Sequence, residues 1–365
     1  MAEMWVNMGP QHPMTHGLWN LRIKIDGETI LDCEPELGYL HRGHEKLAEN
    51  RTWEGYACVA DRLCYAAGMS WSMMVVEAAE NAAGIEIPER AQWIRMIVLE
   101  LNRMVSHLMW LGAYAADLGA MTMFLYPMRE RELFMDLLGK LTGQRMTFNY
   151  ARLGGVFRDV FDDFEHDCER VFKWHEKKLV EYEDMLDNNK VFLMRTVDVG
   201  ILKAGIAMNA GVTGPTLRGS DVDYDVRKDE PYYFYDDLDW NVITNDGLDC
   251  YARHRVRLEE MQESINIMRQ CFRALRRLKG QGEYMAKDVP LNLPAGMGTV
   301  KREDPRGEGM MYGITNGTDR PYRLRFRSPA LINISALPYF TIGYKVADVP
   351  AIVGSIDVCI GEVDK

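Results

Sequence analysis

The sequence predicts an α+β protein with a core of long helices and a small antiparallel sheet at its N-terminus. Apolar residues alternate over 18–25 and again over 29–32, and Asp26 and Gly27 form a turn between the two segments, as in a β-hairpin. From about residue 44 onward, apolar residues instead recur at helical spacing over long windows. These two periodicities predict the sheet and the helical bundle respectively.

The helical part contains four long predicted helices. The first begins after Pro88, because proline suits the first turn of a helix, and its apolar face continues to Leu108. The other three are expected at residues 125–142, 160–187 and 250–279. We expect these helices to form one core.

Three regions are predicted along the chain. Residues 1–43 hold the N-terminal sheet and a loop, and residues 44–279 form the helical core with an irregular insertion at 211–248, which is rich in Gly, Asp, Tyr and Pro. Residues 280–365 form a loop and strand region that ends in a final helix. Strands are expected near 310–314 and 322–327. Two separate functional domains remain an alternative to a single core with insertions.

Composition excludes some classes of function. A chain of 365 residues with 47% hydrophobic and 27% charged residues is typical of a folded protein. The net charge of -11 argues against nucleic-acid binding, which needs clustered Lys and Arg. The first residues are neither basic nor followed by an apolar run, so the seven cysteines are expected to be reduced thiols in the cytoplasm.

One apolar segment has the length of a membrane span. Residues 108–128 are apolar apart from Asp117, but Pro127 lies within the segment and a charged run follows it. A buried helix is therefore favoured over a membrane span. In that setting the carboxylate of Asp117 needs a polar partner.

Two degenerate cysteine pairs are the most informative motifs. In a Cys-x-x-Cys pattern Cys64 would be followed by a cysteine at Ala67, and Cys359 by a cysteine at Glu362. Four thiolates hold a soft metal cluster well, whereas two thiolates, a methyl group and a carboxylate do not. We therefore predict no metal in this chain and interpret the region as a former metal site with another use.

A loop rich in glycine and proline carries two histidines. Pro10 and Pro13 exclude a regular helix through His12 and His16, so these side chains do not form a helical zinc pair. A turn that aims one histidine at a target is the functional interpretation, and a solvated loop histidine is the alternative. The sequence contains no nucleotide-binding glycine motif and no nucleophile elbow.

Nine segments resemble a known family, in the same order along the chain. That family is the large 49 kDa (NuoD) subunit of respiratory complex I, together with the deazaflavin-linked FpoD subunit of methanogens and NdhH of plants and cyanobacteria, and it is similar to the large subunit of nickel–iron hydrogenases. The segments are residues 9–17, 38–46, 49–52, 99–103, 124–132, 143–145, 153–155, 224–228 and 361–365.

The resemblance implies a hydrogenase-like fold and a quinone site in the emptied metal cavity. Tyr65 corresponds to the tyrosine expected at one quinone carbonyl and His16 to the histidine expected at the other. Asp117 corresponds to the carboxylate that pairs with this histidine. His12 and Met14 belong to the loop expected at the quinone site.

Three residues are expected near an iron–sulfur cluster held by a NuoB-like partner, namely Arg62, Thr147 and Arg152. Many relatives carry a histidine where this chain has Thr147. We therefore expect the cluster potential to depend only weakly on pH, which suits a low-potential acceptor. The resemblance assigns no cofactor to this chain alone.

The implied partners are NuoB-, NuoC-, NuoI- and NuoH-like subunits, without nucleic acid. The implied substrate is a quinone or a methanophenazine, and the implied location is the cytoplasmic face of the cell membrane, as a peripheral subunit that meets the membrane through the complex. The electron donor stays open between NADH, a reduced deazaflavin and ferredoxin. A hydrogenase-type subunit with an altered metal site and a purely structural scaffold are the alternatives.

Overall fold

The N-terminal sheet has three strands, one more than the sequence indicated. The computed structural model describes residues 3–278 and 282–365. Strands β1 (Met4–Met8), β2 (Asn20–Asp26) and β3 (Thr29–Glu36) pair antiparallel in that order, and the predicted hairpin joins β2 to β3. Strand β1 escaped prediction because it is mostly exposed and shows no apolar alternation.

Helices make up most of the rest. The first six are α1 (His44–Glu49), α2 (Trp53–Ala60), α3 (Gly68–Ala83), α4 (Glu89–Asp117), α5 (Met121–Thr142) and α6 (Phe164–Leu186). The next five are α7 (Lys190–Thr196), α8 (Ala204–Asn209), α9 (Pro215–Arg218), α10 (Val226–Asp229) and α11 (Cys250–Arg277). The last four are α12 (Pro329–Ser335), α13 (Pro338–Thr341), α14 (Val349–Ser355) and α15 (Ile360–Val363).

The four predicted long helices are confirmed as α4, α5, α6 and α11. The apolar segment 108–128 is not one helix, because α4 ends at Asp117 and Gly119 takes a positive φ of 93° before α5 begins. Within the described residues, no helix is long and apolar enough to cross a membrane. The boundary predicted between residues 279 and 280 lies outside the described residues.

A second three-stranded sheet covers helix α3. Its strands are β6 (Gly296–Asp304), β7 (Gly307–Thr315) and β8 (Arg323–Arg327), all antiparallel, and a two-residue pair, β4 (Ala151–Arg152) and β5 (Gly155–Val156), lies elsewhere. The strands expected near 310–314 and 322–327 correspond to β7 and β8. Strand β6 was missed because its glycines resemble a loop. A Cβ on Gly298 would lie 2.1 Å from the Ala78 carbonyl oxygen, so the glycine permits close packing on α3.

Ion pairs fix the irregular insertion 211–248, which holds only the short helices α9 and α10 and one 3₁₀ turn, to the core. Glu100 of α4 is fully buried and accepts hydrogen bonds from Arg227 at 3.0 Å, Arg103 at 3.1 Å and Tyr235 at 2.7 Å. Burial alone raises the pKa of Glu100, but the two guanidiniums hold it below its ordinary value. The insertion is therefore ordered by buried charge pairs.

Candidate functional site

The loop between α2 and α3 separates a buried thiol from an exposed phenol. Cys64 is fully buried, whereas Tyr65 next to it is 46% exposed. A Cβ on Gly68, where α3 begins, would lie 2.8 Å from the side chain of Asp61, so the loop closes tightly. Burial and the neighbouring Cys359 raise the pKa of Tyr65, which therefore carries its proton at neutral pH.

The C-terminal segment packs against this loop. A Cβ on Gly361 would lie 2.5 Å from the Leu63 carbonyl oxygen, so glycine allows the two backbones to meet. As a result Cys64, Cys359 and Glu362, all buried, bring their thiol sulfurs and one carboxylate oxygen within 4.8 Å of one another. The structure thus joins the two degenerate cysteine pairs in a single cluster.

The carboxylate of Glu362 is already used by protein donors. One oxygen accepts from the Ser328 hydroxyl at 3.0 Å and from the Ala330 backbone N–H at 3.3 Å, and the other accepts from Trp71 Nε1 at 3.2 Å. A carboxylate oriented by three donors is held in place by its neighbours. It does not need a metal for its hydrogen bonding.

A buried guanidinium supplies the positive charge of the cluster. Arg306 donates to Asp357 Oδ1 at 3.1 Å and to Ser106 Oγ at 3.0 Å, and it also acts electrostatically on Cys64 and Glu362. Burial raises the pKa of Cys64 far above its ordinary value, so this thiol is not a ready thiolate ligand. Two protonated thiols, one occupied carboxylate and a fixed cation do not fit a nickel–iron centre.

We expect the purified protein to contain nickel far below one atom per chain. The reason is that the guanidinium of Arg306 already neutralises the buried acids that a metal would need as ligands. Elemental analysis of the isolated complex by mass spectrometry measures this directly. Nickel near one atom per chain, lost in Cys64→Ser, would contradict the expectation and support the hydrogenase-type alternative.

Asp304 lies beside the cluster with one oxygen lacking a hydrogen-bond partner among the described residues. Its Oδ2 accepts from the Arg306 backbone N–H at 3.2 Å, whereas its Oδ1 is the unpartnered atom. Burial first, and then the charge of Glu362, raise the pKa of Asp304 to about 8. This acid is therefore mostly protonated at neutral pH.

The raised pKa of Asp304 predicts a pH dependence of stability. Because the folded-state pKa lies above the ordinary value of 3.8, the folded protein retains a proton that the unfolded chain loses. This contribution to stability is complete below about pH 4 and is lost as the pH rises through about 8. Thermal unfolding of Asp304→Asn should therefore depend less on pH in this range than that of the wild type. Parallel curves would contradict the assignment.

The structure brings His16 and Asp117 together. His16 ends the 3₁₀ turn Pro13–Thr15 with a positive φ of 49°, and its Nε2 lies 2.6 Å from Asp117 Oδ2 at the end of α4. The two side chains are 19% and 17% exposed. A Cβ on Gly17 would lie 2.8 Å from the side chain of Ile360, so this loop packs on the C-terminal segment. The pair and Tyr65 therefore adjoin the same segment at residues 359–360.

The other two residues of this loop have structural contacts. His12 Nδ1 accepts from the Met14 backbone N–H at 3.3 Å and caps the 3₁₀ turn. Met14 is buried in the hydrophobic core. Both residues thus shape the loop that presents His16.

Of the residues expected near a partner's cluster, Arg62 is half exposed and donates to Asp61 at 2.7 Å. Arg152 donates to Asn149 and lies over the ring of Phe157, 5.0 Å from its centroid. Thr147 takes a positive φ of 57° in the connection after α5. Arg152 is therefore held by its own chain, while the guanidinium of Arg62 is partly available to a neighbour.

Sequence reasoning missed Arg306 and Asp357. Arg306 follows Asp304 and Pro305 at the turn between β6 and β7, and such a sequence is typical of an exposed hairpin turn. Gly307 at this turn has φ 132° and packs against Thr213 of the insertion, which buries the turn. The signal that could have found Arg306 is a cation in a turn that the insertion covers, and that is a tertiary property.

Two family profiles divide the chain at this site. The profile of the respiratory-chain NADH dehydrogenase 49 Kd subunit matches residues 117–294 and 282–365. The chain belongs to this family. The profile of nickel-dependent hydrogenases matches residues 42–116. The 49 kDa profile thus covers the C-terminal segment of the cluster, and the hydrogenase profile covers the loop that carries Cys64 and Tyr65.

Relatives of this 49 kDa family cover nearly the whole chain. The D-type subunit of NADH-quinone oxidoreductase from Dehalococcoides mccartyi (strain ATCC BAA-2266 / KCTC 15142 / 195) is 44% identical over 99% of this chain and 98% of its own length. The D-type subunit of F(420)H(2) dehydrogenase from Methanosarcina mazei is 43% identical over 100% and 98%, and the H-type subunit of NAD(P)H-quinone oxidoreductase from Prochlorococcus marinus (strain MIT 9211) is 42% identical over 99% and 98%. This member of the 49 kDa family is a subunit of a complex I-like oxidoreductase of several subunits.

Proposed function

We propose that this chain is the acceptor-site subunit of its complex and that a quinone or methanophenazine is reduced beside Tyr65 and His16. The observation that carries the proposal is the His16–Asp117 pair, 2.6 Å apart, which adjoins the same C-terminal segment as Tyr65. A proton-donating phenol and an oriented imidazole in one place suit an acceptor with two carbonyl-like groups.

The proposed chemistry needs two electrons and two protons. The electrons come from an iron–sulfur cluster of a NuoB-like partner, on the side where Arg62 is exposed. Tyr65 hydrogen-bonds one oxygen of the acceptor and donates its proton as charge develops there. His16 serves the other oxygen, and Asp117 holds the imidazole ring in place.

The finer setting is also part of the proposal. The complex is membrane-bound, with this chain peripheral on the cytoplasmic face beside NuoB-, NuoC-, NuoI- and NuoH-like subunits, and acceptor reduction is coupled to ion translocation. Identities of 44% and 43% to relatives named for NADH-quinone and for F(420)H(2) do not favour one donor. NADH and a reduced deazaflavin both remain donor candidates.

Tyr65→Phe in the purified complex tests the proposal. We expect turnover with a quinone analogue to fall about tenfold to a hundredfold, because the substitution removes one proton donor and leaves the ring. The partner's cluster should still be fully reduced, as measured by EPR in the same sample. This combination places the defect after the cluster.

Tyr322→Phe is the matched control, because this tyrosine is also exposed but lies between β7 and β8, away from the C-terminal segment. We expect it to retain full turnover. Undiminished turnover in Tyr65→Phe would mean that the acceptor binds elsewhere and would overturn the proposal.

A further inference from the structure

Arg131 of α5 is a buried cation with poor neutralisation. The residue is 7% exposed, and its Nε has no hydrogen-bond partner among the described residues. The carboxylate next to it, on Glu132, lies 3.5 Å from Arg131 Nη1, the outer limit of a hydrogen bond. Burial lowers the pKa of Arg131, which shows that its surroundings do not compensate the charge.

Glu132 is more tightly bound to another arginine. Arg145 Nη2 lies 2.6 Å from Glu132 Oε2, a strong charge-assisted contact. Arg131 and Arg145 therefore share one carboxylate, and the group of three has a net positive charge. An arginine keeps its proton at neutral pH, so this excess charge persists.

The phenol of Tyr65 lies within electrostatic range of Arg131. A second cation, Arg306, also acts on Tyr65, but it is neutralised by Asp357 at 3.1 Å. Of these two cations beside Tyr65, Arg131 is the one with charge to spare. Its position matters when Tyr65 becomes negative.

We propose that Arg131 is a positioning residue for acceptor reduction and stabilises the negative charge left on the Tyr65 oxygen after proton transfer. In that step the phenol O–H bond breaks and a new O–H bond forms on the acceptor oxygen, while the complex supplies the two electrons. The inference rests on the proposed function. It assigns to a buried arginine outside the former metal cluster a role that acts through Tyr65.

Arg131→Met in the intact complex is the first test, with a short-chain quinone analogue as acceptor. We expect kcat to fall about tenfold with KM unchanged, because one unit in the pKa of Tyr65 corresponds to a tenfold change in the phenol–phenolate equilibrium. Arg131→Lys should recover most of kcat because it restores a cation. Lys140→Met is the control, since it removes an exposed cation from the same helix that is paired with Asp167.

The decisive readout is the same substitution in a Tyr65→Phe background. A residue that acts through Tyr65 has no further effect there, whereas a merely structural role lowers kcat again. A further tenfold fall in the double variant, or a change confined to KM, overturns the inference. Full turnover in Tyr65→Phe alone would instead overturn the proposed function.

Arg145→Met keeps the inference testable if Arg131→Met fails to assemble. Arg145 is exposed, and its removal frees Glu132 to neutralise Arg131. We expect kcat to fall in the same direction while Tyr65 is present and to be unaffected in Tyr65→Phe. An unchanged kcat in Arg145→Met overturns the inference.

Discussion

Arg306→Met is expected to destabilise the chain by about 3–5 kcal/mol, the usual cost of removing one partner from a buried ion pair. The guanidinium is buried, and its loss leaves the Asp357 carboxylate without its donor at 3.1 Å. The cavity left by the shorter side chain adds to the cost. Urea unfolding of the purified chain, followed by tryptophan fluorescence, measures the change in free energy.

The double variant Arg306→Met with Asp357→Asn separates charge from packing. If the uncompensated carboxylate causes the loss, Asp357→Asn should recover part of it. Arg320→Met is the control, because Arg320 is exposed and lies 3.8 Å from its partner Asp319, so it should change stability by less than about 1 kcal/mol. A loss of similar size in both single arginine variants would sink the interpretation.

The helical core could be predicted because its signal is local. The apolar face that begins after Pro88 and the stripe within residues 250–279 both became long helices, α4 and α11. The break after Asp117 and the strand β6 could not be predicted from local pattern. Each depends on a glycine whose conformation or packing is set by the rest of the molecule, Gly119 by its positive φ and Gly298 by its contact with α3.

The site was predictable only where the sequence posed a question that the fold had to answer. Asp117 in an apolar segment required a partner, and the fold supplies His16, which lies 101 residues away. The degenerate pairs at Cys64 and Cys359 indicated a common cluster. Arg306 carries no such signal, because only tertiary packing turns a polar turn residue into a buried cation.

Removal of the His16–Asp117 pair should have the largest effect on catalysis. His16→Ala is expected to lower turnover by about a hundredfold or more, the usual contribution of a positioned proton donor. Asp117→Asn should lower it less, because the imidazole remains but loses the charged partner 2.6 Å away. Steady-state turnover with a quinone analogue measures both, with the partner's cluster reduced in each sample.

The double variant distinguishes a working pair from two independent residues. If Asp117 acts only by orienting His16, then Asp117→Asn has little further effect once His16 is alanine. Asp187→Asn is the matched control, because it removes a carboxylate 3.3 Å from a different buried histidine, His254, and should leave turnover unchanged. Strictly additive losses at His16 and Asp117 would show that the carboxylate serves the reaction by another route, and a fall in Asp187→Asn would show that loosening the core is enough to slow turnover.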